Sequence, residues 1–342
     1  MNAPAFWWRR DRGLAAFLLA PFARIFGAAA GRRMERPYRF RPPVPVICVG
    51  NFVVGGAGKT PTALAVARLA RGRGLRPGFV ASGYRGAAGD ALRVGPATTA
   101  AQAGDEALIL AAAAPTAVGR DRAAAARLLA AEGDIDLIIM DDGFQNPDVA
   151  KDLSLVVVDA GAGLGNGLMM PAGPLRAPFL SQLRRADAVL IVGEGEAAEP
   201  VMRAAASFGS PVLRAALQPS RIKEWRKGPI LAFAGIGRPE KFFASLAAVG
   251  APVAVKRSFP DHHPYSAADA TRLMAEADAG GLRLITTEKD LARLTGATGA
   301  QARLRARAES FGVTLEFENP TAVSELIGET VRKFAHRGDT VA

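Results

Sequence analysis

Val46-Ile47-Cys48-Val49-Gly50-Asn51-Phe52-Val53-Val54-Gly55-Gly56-Ala57-Gly58-Lys59-Thr60-Pro61 is the stretch on which the fold turns. Residues 46–49 read as a buried strand, and a helix is expected to open after the glycines. Glycines let backbone N–H groups crowd an anion, and the helix start favours negative charge. Gly55, Gly56, Ala57 and Gly58 would therefore cradle the phosphates of a nucleoside triphosphate. Lys59 would reach the β- and γ-phosphates, and the Thr60 hydroxyl would ligate Mg²⁺. Pro61 suits a first helical turn, where its missing N–H costs little. The general pattern GxxxxGK[ST] starts with glycine, whereas Val53 stands at that position here.

Working outward, short runs apolar on both faces recur at 77–81, 137–140, 155–158 and 188–192, separated by helical patterns at 62–71, 105–113 and 121–131. Such runs predict an α/β fold with a P-loop-type parallel sheet flanked by helices. Gly193-Glu194-Gly195-Glu196 breaks the alternation and reads as a linker. Beyond it, strands are expected at 230–234, 253–255, 282–286 and 313–317, with helices near 239–249, 267–278, 288–294 and 321–335. These predict a second, smaller α/β domain. A length of 342 residues suits two domains. The expected division is an N-terminal segment at 1–43, a P-loop domain at 44–195 and a smaller domain at 196–342.

The single cysteine, Cys48, lies in an apolar run, which excludes a disulfide framework and a cysteine metal site. Net charge is +11, and residues 1–43 hold nine arginines against Asp11 and Glu35. A basic excess suits nucleic acid, anionic lipid or a phosphorylated substrate. Among these arginines Trp7, Trp8, Leu14, Phe17, Leu18, Phe22, Ile25 and Phe26 recur at near-helical spacing. That pattern predicts an amphipathic membrane-surface helix with a basic rim. It argues against nucleic acid, because the apolar face would then have no purpose. The uninterrupted apolar run 13–23 holds eleven residues, short of the ~20 that span a bilayer. A signal peptide fits the pattern but not the nucleotide site that follows it. An ordinary core helix is the remaining alternative.

Asp141 and Asp142 follow an apolar strand directly, where a P-loop protein holds Mg²⁺ directly or through water. Two adjacent carboxylates repel, and a cation relieves that. Gly104-Asp105-Glu106 precedes a helix, so Asp105 is either an N-cap or a carboxylate that accepts a proton from an alcohol. Phe259-Pro260-Asp261-His262-His263 places two of the three histidines in one constrained loop. Thr287-Glu288-Lys289-Asp290 fits a capping box. Its lysine stands one place too late for the guanine-reading N/T-K-x-D pattern, which favours ATP.

Together these segments resemble the tetraacyldisaccharide 4′-kinases of lipid A biosynthesis over nearly the whole chain. The matching stretches are Val49-Gly50-Asn51 with residues 55–61, Gly104-Asp105-Glu106, and Asp141-Asp142-Gly143-Phe144-Gln145. Gly165-Asn166-Gly167 with Pro171-Ala172-Gly173-Pro174-Leu175-Arg176, and residues 232–237, 259–262 and 286–290, complete the set. The resemblance implies a monotopic enzyme on the cytoplasmic face of the inner membrane. It would phosphorylate the 4′-hydroxyl of an acylated glucosamine disaccharide 1-phosphate with ATP and Mg²⁺, and it leaves protein partners open. Asp105 paired with His262 would activate the hydroxyl, with Lys59 as the third catalytic residue. Thr60, Asp141, Asp142 and Glu106 would serve the metal, and Arg122, Gln145, Asn166 and Arg176 would line the cleft near phosphate or sugar. The family's arginine after the second strand has moved to Arg85, and its usual histidine after the acidic motif is Asn146. A P-loop ATPase or GTPase that delivers a metal or protein is the competing class, but its signature lysine is Val54 here.

Overall fold

The structure, a computed structural model, describes residues 4–9, 13–83, 91–220 and 222–339. Its strands are β1 (Val46–Asn51), β2 (Pro77–Ala81), β3 (Leu92–Arg93), β4 (Thr116–Val118), β5 (Leu137–Asp141), β6 (Leu153–Asp159) and β7 (Ala188–Val192). They continue with β8 (Val212–Pro219), β9 (Ile230–Ala234), β10 (Val253–Ser258), β11 (Arg283–Thr287), β12 (Glu309–Phe311) and β13 (Val313–Phe317). Among the described residues they form two sheets, ordered β13-β8-β7-β6-β1-β5-β2-β4-β3 and β10-β9-β11-β12. The first sheet is parallel except where β13 meets β8 and β3 meets β4. The second is parallel throughout.

The large sheet is covered on both faces, which is why its central strands read as continuous apolar runs. All six residues of β1 are buried. Helices Lys59–Gly72 and Asp105–Ala111 pack Ala63, Val66, Ala67, Ala107 and Leu110 on one face. On the other lie Ala123, Ala126 and Leu129 of helix Arg122–Ala130, with Val201 and Ala205 of Glu199–Ser207. The small sheet has its own two cores, one around Phe233, Leu273 and Leu304, the other around Trp225, Phe243 and Phe311.

The expected boundary at 195/196 does not separate the two sheets. β8 and β13 both belong to the large sheet, and Leu315, Phe317, Val323 and Ile327 share a core with Ala63 and Val66. The smaller sheet is therefore inserted between β8 and β13. The stretch 193–196, expected as a linker, connects β7 to the helix Glu199–Ser207 within the large sheet. Pattern alone identifies a strand but not the sheet whose edge it joins. β8, half exposed along its length, was not expected at all.

At the N-terminus a 3-10 turn, Ala5–Trp8, precedes a helix at Leu14–Met34. The expected amphipathic face needs correction. Trp7 is buried, and its Nε1 donates to Pro171 O at 3.0 Å, so it faces inward rather than toward a lipid surface. The helix divides by size rather than polarity. Ala16, Ala23, Gly27 and Gly31 are buried against the body, while Leu14, Phe17, Leu18, Phe22 and Ile25 are 61–74% exposed. Gly27 lets the helix pack close to Met169, since a Cβ there would sit 2.0 Å from the Met169 sulfur and that flexible side chain would have to move. At 21 residues the helix is long and apolar enough to cross a membrane by length and composition, longer than the run read from sequence.

Candidate active site

Four elements converge at the carboxyl ends of β1 and β5: the glycine loop, the helix start at Lys59, the acids ending β5, and the helix start at Asp105. Gly55 and Gly58 have φ of 121° and 88°, conformations only glycine adopts freely, so the backbone can curl there. Asn51 closes the curl, its Nδ2 donating to Gly55 O at 3.2 Å. Lys59 Nζ donates to the same carbonyl at 3.2 Å and lies 3.7 Å from Asp142. In this arrangement the loop and its lysine are held ready for an anion.

The two neighbouring acids have separate environments. Asp141 is fully within the protein, and Thr60 Oγ1 donates to its Oδ2 at 2.9 Å. Its Oδ1 is buried and has no hydrogen-bond partner among the described residues. Burial and the nearby Glu106 push its carboxyl up to about 7, with Lys59 opposing. An orphaned carboxylate oxygen beside a threonine hydroxyl fits a divalent cation, and Thr60 with Asp141 are the residues that would hold Mg²⁺. Asp142 instead forms a fork with Arg176 at 2.8 and 3.0 Å. Burial opposes its ionisation, yet Lys59 and Arg176 outweigh that and hold it below the ordinary carboxylate range. Its φ of 54° is strained for a non-glycine residue, as backbone at a functional site often is. Of the two acids expected at a metal, Asp141 is the one bonded to Thr60, while Asp142 is engaged by Arg176. Glu106, expected as a further ligand, is engaged by Lys289 Nζ from the inserted domain.

Asp105 lies on the same cleft as Asp141 and Asp142. Gly104, not Asp105, is the N-cap, so Asp105 occupies the first helical position with its carboxylate free to face the second domain. His262 Nδ1 approaches Asp105 Oδ2 at 3.3 Å, and Arg293 donates to that oxygen through Nε and Nη2 at 2.8 and 2.7 Å. Burial raises the Asp105 pKa, but the His262 hydrogen bond, Arg293 and Lys289 prevail and hold it far below the usual range. His262 carries a φ of 59° in a loop pinned by its N–H to Gly235 O at 2.9 Å.

The remaining expected residues divide. Gln145 Nε2 donates to Asn51 O at 2.6 Å and to Gln182 at 2.8 Å, tying the acidic loop to the end of β1. Arg122 is buried with Nη1 donating to Gly119 O, and its Nε has no partner among the described residues. Asn166 turns into its own loop, giving Nδ2 to Ala172 O and accepting from Leu168 N, and so does not line the cleft. Asn146 likewise serves its own turn with Asp148. Arg85 lies outside the described residues. Thr287 caps its helix as expected, its Oγ1 accepting from Asp290 N, but the Asp290 carboxylate does not return to the Thr287 backbone; it accepts from Thr287 Oγ1, Gly235 N, Tyr265 Oη and Arg293. Arg293 and Gln182 have no separate sequence signal, and Asn51 lies in the matching stretch 49–51 with no role read for it; Arg293 sits three residues beyond Asp290, a spacing that only a known helix makes meaningful.

A glycine-loop strand and helix, a threonine paired to a strand-end acid, and an aspartate–histidine pair in the same cleft define a P-loop phosphotransferase. The sequence profile of the family described as "Tetraacyldisaccharide-1-P 4'-kinase" matches residues 15–332. A tetraacyldisaccharide 4'-kinase of Methylobacterium sp. (strain 4-46) is 54% identical over 87% of this chain and 90% of its own length. The enzyme of that name from Agrobacterium fabrum is 44% identical over 96% and 94%. The crystal structure of LpxK from Aquifex aeolicus, an "apo" form in complex with ATP, superposes with a TM-score of 0.73 at 23% identity. That match covers 93% of this chain and all of the other. This chain belongs to the tetraacyldisaccharide 4'-kinase family. It is an ATP-using kinase of lipid A biosynthesis, and the expectation of a metal- or protein-delivering switch is set aside.

Proposed function

We propose that this kinase transfers the γ-phosphate of ATP to the 4′-hydroxyl of a tetraacylated glucosamine disaccharide 1-phosphate. The product would be the 4′-phosphorylated lipid A precursor, lipid IVA. The observation that carries this reading is the approach of His262, from the inserted domain, to Asp105 in a cleft shared with Asp141. A carboxylate as strongly held as Asp105 is a weak base. Phosphoryl transfer suits it, because the transition state is loose and the hydroxyl proton leaves late. Asp105 would orient the hydroxyl and accept its proton, His262 would fix and share that charge, and Lys59 would neutralise the transferring group. Mg²⁺, held by Thr60 and Asp141, would supply charge neutralisation on the β- and γ-phosphate oxygens.

The lipid acceptor gives the N-terminal helix a purpose. Phe17, Phe22 and Ile25 face outward at 62–74% exposure, and each would contribute about 1.5–3 kcal/mol if fully buried in acyl chains. The opposite face docks on the body along Ala16, Ala23, Gly27 and Gly31, so the helix would lie against the membrane rather than cross it alone. The placement is at the cytoplasmic face of the inner membrane, where ATP is available.

The test is transfer of ³²P from [γ-³²P]ATP to the acylated disaccharide 1-phosphate in mixed micelles, with Lys59→Ala beside the wild type. Wild-type labelling of the 4′-position is expected, with a loss of about 10²–10³ in the variant. Labelling that needs no lipid, or a variant retaining a tenth of the activity, would overturn the reading.

A further inference from the structure

The inserted domain sends a second basic residue to the ATP side of the cleft. Arg238 immediately precedes the helix Pro239–Ala248, and its Nη2 lies 3.4 Å from Gly56 O on the lip of the phosphate loop. Its guanidinium carbon lies 6.0 Å from the ring centre of Trp8. Trp8 in turn borders the loop, since a Cβ on Gly55 would stand 3.8 Å from its Cζ2. The third neighbour is Asp159 at the carboxyl end of β6, 3.8 Å from Arg238 Nη2.

We propose that Arg238 acts as an arginine finger supplied in cis: it turns from Gly56 O onto the triphosphate and neutralises charge on the leaving diphosphate. This rests on the kinase reading above. Guanidinium groups at this lip are well suited to the task, because the phosphate-loop backbone offers N–H groups from below but no mobile charge from the open side. The contact to Gly56 O is long and half exposed, hence easily exchanged for a phosphate oxygen, whose charge makes a stronger partner than a carbonyl. Asp159 is not stranded by the move, because Lys241 Nζ remains on its Oδ2 at 3.0 Å. Trp8 offers an aromatic face that limits where the guanidinium can swing.

In the step served, the acceptor oxygen bonds to the γ-phosphorus and its proton passes to Asp105. The bond from phosphorus to the β,γ-bridging oxygen breaks, and its electron pair stays on ADP beside Arg238.

The experiment compares Arg238→Ala and Arg238→Lys in the full chain, using Mg·ATP and the acylated disaccharide 1-phosphate in mixed micelles. Arg257→Ala serves as the control for loss of one positive charge elsewhere on the same domain, where Arg257 pairs with Glu276. Both Arg238 variants should lose at least about 100-fold in kcat with KM for ATP within about threefold, and lysine should not rescue. Melting temperature should hold, since the side chain is 46% exposed. The inference fails if kcat stays within threefold, if only KM for ATP rises, if lysine restores activity, or if Arg257→Ala loses as much. Absence of lipid transfer by the wild type would overturn the kinase reading itself, whereas wild-type transfer with active Arg238 variants would overturn this inference alone.

Discussion

At the scale of single residues, this site stores unfavourable electrostatics that a ligand would relieve. Asp141 is the clearest case: its carboxyl, pushed up to about 7, is stable when protonated and strained when ionised. A folded-state pKa above the unfolded one gives stability at low pH that is lost as pH rises through about 7. In EDTA at pH 8, Asp141→Asn should therefore melt higher than the wild type, by about 1–2 °C for each kcal/mol relieved, while losing activity. The gain should shrink as the pH falls toward 5. A variant that melts lower at pH 8 would show that Asp141 is not strained there. Asp105 and His262 lie 3.3 Å apart, and if they act as one unit, as proposed, their losses should overlap. In a double-mutant cycle, Asp105→Ala with His262→Ala should lose little more kcat than the worse single variant. Losses that multiply in full would assign His262 to substrate or nucleotide instead.

Elements show how far local pattern carries. The glycine loop forms as read because positive φ at Gly55 and Gly58, followed by a helix start, is written in adjacent residues. β2, β7, β9 and β13 match the apolar runs at 77–81, 188–192, 230–234 and 313–317 end to end. A helix stands at Leu14–Met34 where the sequence predicts one, but its faces differ from the expected pattern. Its inward face consists of alanine and glycine, which a hydrophobicity pattern scores as weak although close packing demands them. Phe17→Glu combined with Phe22→Glu should abolish co-flotation with vesicles containing anionic lipid and leave the melting temperature within about 1 °C, because neither ring is buried. High salt alone should release the wild type only in part, since screening weakens the arginines but not the apolar face. Undiminished flotation of the double variant would place membrane contact elsewhere.

For the whole molecule, the decisive contacts join residues far apart in sequence. Arg293 reaches Asp105 across 188 positions, and Lys289 reaches Glu106 across 183. Breaking a buried pair leaves an uncompensated charge, typically about 3–5 kcal/mol. Arg293→Met should lower stability on that scale and loosen the inserted sheet from the large one. Differential scanning calorimetry is expected to show one transition for the intact chain and two for this variant; a single peak in both would mean the domains are coupled by other contacts. By itself, the sequence determined the phosphate loop, the strand-end acids, the α/β class and the family, because each is encoded by near neighbours: glycine torsions, apolar runs, a fixed lysine–threonine spacing. The tertiary structure alone decided three matters. β8 and β13 close the large sheet around an inserted smaller one. Asp141 rather than Asp142 faces Thr60. Arg293 holds the Asp105 carboxylate. Sheet edges, side-chain rotamers at a strained φ and charge pairing across a cleft depend on what the rest of the chain brings alongside, and no local pattern records that.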